Sequence, residues 1–209
     1  MRILVIETAT AACSAALVED GAVIASKHEV VGRGHAERLV PMIASLPDKG
    51  RAGRILVDCG PGSFTGVRVG LAAAHGLAIG WGAQVSGYSS LALIAAQAFA
   101  ARPELAQLAV VLEGGHGEVF VQRFDAALAG EGGFASLAPE AALAVLDGLP
   151  AFGNGVRFLE PLSAAPELTE MLPRAADAPL LPPAFAALAP RPIYGRAPDA
   201  KTLAERGLA

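Results

Sequence analysis

The stretch from Phe64 to Trp81, FTGVRVGLAAAHGLAIGW, constrains this chain more than any other. Large apolar residues stand at Val67, Val69, Leu71, Leu77, Ile79 and Trp81, and small ones at Gly66, Gly70, Ala73, Ala74, Gly76 and Gly80. A helix that is apolar nearly all round must be covered on more than one side. One side can lie on a sheet; the other needs a third layer or a second chain. Each interior glycine costs about 1 kcal/mol relative to alanine, so the small-residue stripe implies close approach by another element. The expectation is a helix shared between subunits, with burial wholly inside its own chain as the alternative. Val67→Glu or Leu71→Glu is then expected to weaken pairing without unfolding the monomer.

The helix comes after a strand-like run, Arg54 to Asp58, through the turn Gly60-Pro61-Gly62-Ser63. Glycine allows positive φ and close backbone contact, and Pro61 stiffens the turn. Ser63 suits the N-cap of a helix beginning at Phe64. A helix start can also hold a phosphate, but the Walker pattern requires Lys after the last glycine, and none follows Gly66.

Composition narrows the class. The chain has 209 residues, 53% hydrophobic yet only 5% aromatic, so its core is built of small side chains. The longest membrane candidate, Val69 to Ala83, contains His75 and four glycines, and falls short of the roughly 20 apolar residues a span needs. The start, MRILVIETAT, lacks the pattern of a signal peptide. Cys13 and Cys59 show no metal or redox spacing. A net charge of −4 with scattered cations, loosely grouped only at Lys49, Arg51 and Arg54, argues against unaided RNA binding.

Along the chain, 2–7, 12–19 and 22–31 read as strands, the last two joined by the hairpin signal Asp20-Gly21. Residues 35–46 have helical spacing interrupted by Pro41. A short strand at 84–87 and a helix at 89–100 complete the first half. The second half opens alike, with strands at 107–112 and 118–124. Residues 126–150 read as Ala-rich and partly helical, 161–192 as short helices in Pro-rich loops, and 191–209 as a partly ordered tail. The similar openings suggest a duplicated lobe, and the alternation of strand and helix an α/β fold of mixed sheets flanked by helices. The domains expected are 1–101 and a smaller, partly degenerate 102–209.

The segments MRILVIETAT, GRGHAERLVPMI, GPGSFTGVRVG, EGGHGEVFVQRF, FGNG and PIYGRAPDAK together resemble the TsaB (YeaZ) family. The resemblance implies two ribonuclease-H-like lobes of the actin, sugar-kinase and heat-shock-chaperone ATPase superfamily. It implies a scaffold beside the threonylcarbamoyltransferase TsaD and the ATPase TsaE, in modifying adenosine 37 of tRNA to threonylcarbamoyladenosine. Such a chain is cytoplasmic, carries no catalytic activity alone and requires no cofactor, ATP and Mg belonging only to the complex. It pairs with a TsaD-like paralogue or, alone, with itself, meets tRNA only through the complex, and has no membrane contact. The helix after GPGSFTG is the implied interface, at Phe64, Val67, Arg68, Gly70, Leu71 and Ala74. The connection LPDKGRAGRI is shorter than is usual in the family.

The superfamily places acidic residues at the ends of the first strand of each lobe, in its nucleotide site. Those places carry Glu7 and Glu113, with the hydroxyls Thr8, Thr10 and Ser14 near the first. Each glutamate is one methylene longer than aspartate, and a misplacement of about 1 Å costs on the order of a hundredfold in rate. The positions therefore read as a vestigial nucleotide site. His28, His35, His75 and His116 form no metal motif, and there is no G-x-S-x-G nucleophile turn. The competing class is an ATP-dependent phosphotransferase or hydrolase; a peptidase lacks its motifs.

Overall fold

The computed structural model describes residues 1–162 and 166–195. Strands β1 (Arg2–Glu7), β2 (Ala12–Glu19) and β3 (Ala22–Val30) form an antiparallel meander. Helix α1 (His35–Ala44) leads back to β4 (Arg54–Asp58), which lies parallel to β1. Helix α2 (Phe64–Trp81) then crosses to β5 (Gln84–Tyr88), parallel to β4, and α3 (Ser90–Ala101) closes the lobe. The sheet order is β3-β2-β1-β4-β5.

The second sheet repeats this plan. Strands β6 (Gln107–Gly115), β7 (Glu118–Asp125) and β8 (Gly130–Leu137) form the meander, and α4 (Pro139–Leu146) leads to β9 (Ala151–Phe152) and β10 (Leu168–Thr169). The order β10-β9-β6-β7-β8 is the first order read from the other edge. What differs is the crossover: where the first lobe has α2, the second has, among the described residues, the 3-10 turn Val156–Phe158. Helix α4 is the helical part expected within 126–150, and strand β8 is an element that expectation did not include. Its sequence, GEGGFASL, has little strand character of its own, and pairing with β7 imposes the extended form.

The layers are set by three apolar clusters. Leu4, Ile6, Ile55 and Val57 on one face of the first sheet pack against α1 and α2. The opposite face, through Val5 and Leu56, shares a core with α3, with Leu108, Val110 and Phe120 of the second sheet, and with Ala175 and Ala178. The far face of the second sheet packs on α4. Helix α3 therefore lies between the sheets, and Leu91, Leu93, Ile94 and Ala95 are fully buried. The Pro-rich segment after β10 does not stay with the second sheet. Ala175 N donates to Ser14 Oγ at 2.7 Å, Leu188 pairs with Gly87, and Ile193 N donates to the Cys59 carbonyl at 2.7 Å, all in the first lobe. Among the described residues, no helix is long and apolar enough to cross a membrane.

Candidate functional site

The turn before α2 is fastened from several sides. Ser63 N donates to the Ala9 carbonyl at 2.6 Å, and Ser90 Oγ donates to the Pro61 carbonyl at 2.8 Å. Ser63 is the N-cap, its Oγ accepting from Gly66 N at 3.1 Å. Glycine is required here by distance. A Cβ on Gly62 would lie 2.1 Å from the Ala9 carbonyl oxygen, and one on Gly66 2.0 Å from that of Thr8. Thr8 Oγ1 donates to the Gly66 carbonyl at 2.8 Å, so the first turn of α2 rests directly on the loop after β1.

The helix has two small-residue stripes with opposite uses. Gly66, Gly70 and Ala74 face the sheet, and a Cβ on Gly70 would meet Thr8 Oγ1 at 2.4 Å. Ala72, Gly76 and Gly80 face outward, and a Cβ at either glycine meets nothing within 4 Å. The interface expected on α2 therefore needs correction. Val67, Gly70, Leu71 and Ala74 are buried in the chain's own core, because the sheet takes the face that carries the β-branched and leucine side chains. Phe64 (69% exposed) and Ile79 (87%) stand on the open face. Arg68 is half-buried, its guanidinium 3.2 Å above the Phe64 ring and 5.2 Å from that of Tyr194. Its Nη1 donates to the Phe64 carbonyl at 2.7 Å and Nη2 to Tyr194 Oη at 2.8 Å. Tyr194 arrives from the distant C-terminal segment, and nothing in local sequence signals that it joins α2.

The acidic positions separate into two environments. Glu7, Thr8 and Thr10 are buried together. Glu7 Oε1 accepts from Ala9 N at 2.9 Å and Oε2 from Tyr88 Oη at 2.8 Å. Thr10 Oγ1 accepts from Ala12 N at 3.2 Å. The Thr10 carbonyl faces His35 Nε2 at 2.9 Å. The side chains of these three residues are thus all engaged in hydrogen bonds within the chain. Glu113 is exposed in the other sheet and ion-paired to Arg157 at 2.6 Å. Its backbone N donates to Asn154 Oδ1 at 3.2 Å.

Asp58 is the residue that sequence reasoning passes over as a mere strand end. It is fully buried beside Glu7, and Tyr88 covers the pair. Burial, then the neighbouring Glu7 charge, pushes the Asp58 carboxyl well above the usual range; burial raises Glu7 as well. The available signal was two acidic residues closing apolar strands, each followed by a tight loop. The thiols are held protonated, burial pushing Cys13 up to about 11 and Cys59 to about 12. Among the described residues, no group of three or more His, Cys, Asp or Glu could hold a metal ion.

The model of the family described as "TsaD: tRNA N6-adenosine threonylcarbamoyltransferase" matches residues 22–145. The tRNA threonylcarbamoyladenosine biosynthesis protein TsaB of Escherichia coli (strain K12) is 44% identical over 102 residues, which is 46% of this chain and 43% of that protein. The protein of that name from Bacillus subtilis (strain 168) is 37% identical over 101 residues, 46% of this chain and 44% of its own. The chain thus spans somewhat under half the length of the curated relatives it matches. In fold, YeaZ from Pseudomonas aeruginosa is similar with a TM-score of 0.78 at 29% identity, covering 92% of this chain and 99% of that one.

Proposed function

The chain belongs to the TsaB (YeaZ) family, and from that premise we propose that it serves threonylcarbamoyladenosine formation on tRNA as a partner without chemistry of its own. The observation that carries this reading is the outward face of α2. Phe64 and Ile79 are exposed there beside Gly76 and Gly80, which leave room for a second backbone. A small-residue stripe between exposed apolar side chains suits a helix laid across it, since close approach recovers the dispersion energy that glycine forgoes. Arg68 holds the Phe64 and Tyr194 rings in place, and exposed aromatic and arginine anchors are the usual centres of binding energy.

The occupant of this face is a TsaD-like paralogue and, without it, a second copy of this chain. The TsaE-like ATPase joins the assembled pair, tRNA is met only by the complex, and the setting is the cytoplasm. The chain itself needs no cofactor; ATP and Mg act in the complex. Support for a non-catalytic role comes from Glu7, whose oxygens are both used inside the core.

Co-elution with the TsaD-like paralogue tests the reading. Ile79→Glu is expected to abolish co-elution while leaving the melting temperature of the isolated chain within about two degrees, as for other exposed substitutions. Wild-type co-elution by this variant would overturn the docking face. ATP turnover by the purified chain alone, lost in Glu7→Gln, would overturn the scaffold role.

A further inference from the structure

Strands β1 and β4 lie parallel, with Ile6 beside Val57, and both end in an acid. Glu7 and Asp58 are each 0% exposed, and their carboxyl groups lie within hydrogen-bonding reach of one another. Three of the four oxygens have a donor. Glu7 takes Ala9 N and Tyr88 Oη, and Asp58 Oδ1 accepts from Gly60 N at 2.7 Å. Asp58 Oδ2 is buried with none.

The groups facing the pair come from every surrounding element. Tyr88 ends β5, His35 begins α1, Cys13 lies in β2 and Cys59 is next after β4, with the Ser90 hydroxyl at the start of α3. His35 is the one basic side chain among them, and its Nε2 is already engaged by the carbonyls of Thr10 and Ala12. Two adjacent carboxylates without a paired cation cannot both stay ionised in such a site. A single proton on Oδ2 satisfies the orphaned oxygen and removes the repulsion together.

We propose that Asp58 keeps its proton in the folded chain and donates it from Oδ2 to Glu7, so that one shared proton ties the ends of β1 and β4 beneath the Gly60–Ser63 turn. Asp58 thereby acts as a positioning residue for α2. Its Oδ1 holds Gly60 N, while Glu7 holds Ala9 N, and the Ala9 carbonyl holds Ser63 N. The two ends of the turn are thus fastened to the two halves of one acid pair. Alkali, by removing the shared proton, loosens the base of the helix; acid does not.

Linkage fixes the sign. The Asp58 carboxyl is raised by burial and by the Glu7 charge, so the folded chain keeps a proton that the unfolded chain releases near the usual carboxylate range. Stability from this group is complete below that range and declines as pH rises toward the folded-state titration. The folding equilibrium constant is expected to fall by up to about tenfold per pH unit over that interval, relative to a variant lacking the proton.

Urea unfolding of the isolated wild-type chain and of D58N, across a pH series, supplies the test. The amide that D58N introduces can accept from Gly60 N and donate to Glu7 at every pH, so this variant is expected to fold and to lose the declining limb. Using the difference between the two chains cancels contributions common to both, such as His28. D58A is expected to be less stable than D58N throughout the series. Infrared spectroscopy gives a second reading on wild type, where a protonated-carboxyl band should persist at about pH 7 and be absent from D58N. A wild-type pH slope in D58N overturns the proposal, as does disappearance of the band in the ordinary carboxylate range. Both measurements use the isolated chain, and so they stand apart from the docking of α2.

Discussion

The two lobes share one strand order and diverge at the turn after the fourth strand. In the first lobe, Gly62 and Gly66 press on the backbone of Ala9 and Thr8 just past β1. In the second, Gly153 and Gly155 press on Val111 and Leu112 near the end of β6, a Cβ on either falling within 2.6 Å of backbone. The contact is equivalent, but the element beyond it differs. The first turn launches α2, and the second, among the described residues, the 3-10 turn Val156–Phe158. The acids at the strand ends diverge in parallel, Glu7 buried in a pair with Asp58 and Glu113 paired to Arg157 near solvent. One plan has thus been used once to support a projecting helix and once merely to close a sheet.

The largest effect that would break this comparison is on the inward face of α2. Val67→Glu should leave the monomer unfolded, since an unpaired carboxylate among Val57, Ile6 and Leu71 costs on the order of 4 kcal/mol. Circular dichroism of the purified variant checks it, and a monomer that stays folded but no longer pairs would put the partner on that face instead. Next comes the contrast between the acids. Glu7→Ala deprives Ala9 N of its acceptor and should cost about 2 kcal/mol. Glu113→Ala should cost under about 0.5 kcal/mol, as exposed ion pairs do. Urea midpoints of the two variants give the ratio directly; equal losses would mean that the lobes are not differentiated at these positions.

The smallest effect sharpens the division between the two glycine stripes. Gly76→Ala should stabilise the isolated chain by about 1 kcal/mol through helix propensity, because its Cβ enters open space. Gly70→Ala should destabilise it, because its Cβ meets Thr8 Oγ1. If the outward stripe exists for close approach of a partner, Gly76→Ala should also weaken co-elution with the paralogue while raising the melting temperature. That opposition of signs is a pattern a purely internal helix would not show.

Much of the fold was legible from local rules. The alternating strands of the first lobe, the Asp20-Gly21 hairpin, the Ser63 cap and the span of α2 each derive from nearest neighbours in the chain. Strand β8 was not legible, because its glycines carry no period and only β7 makes it extended. The small residues of α2 were visible as a set, but the set was really two stripes. Periodicity shows that Val67 and Leu71 share a face; it does not say which face the sheet takes.

The acid pair has the same character. From the sequence, Glu7 and Asp58 are two strand ends separated by about fifty residues of other structure, and only the first stands out as a candidate. Their meeting depends on β4 returning beside β1 in parallel register, a non-local pairing with no local signature. By itself, the sequence determined where the chain turns, which segments are apolar and which family its motifs resemble. Tertiary structure alone decided which side of α2 is buried, that Tyr194 joins Arg68, and that two acids share a buried site. Hydrogen bonds to near neighbours and side-chain period act within a few residues, whereas burial is assigned only when distant strands pack together.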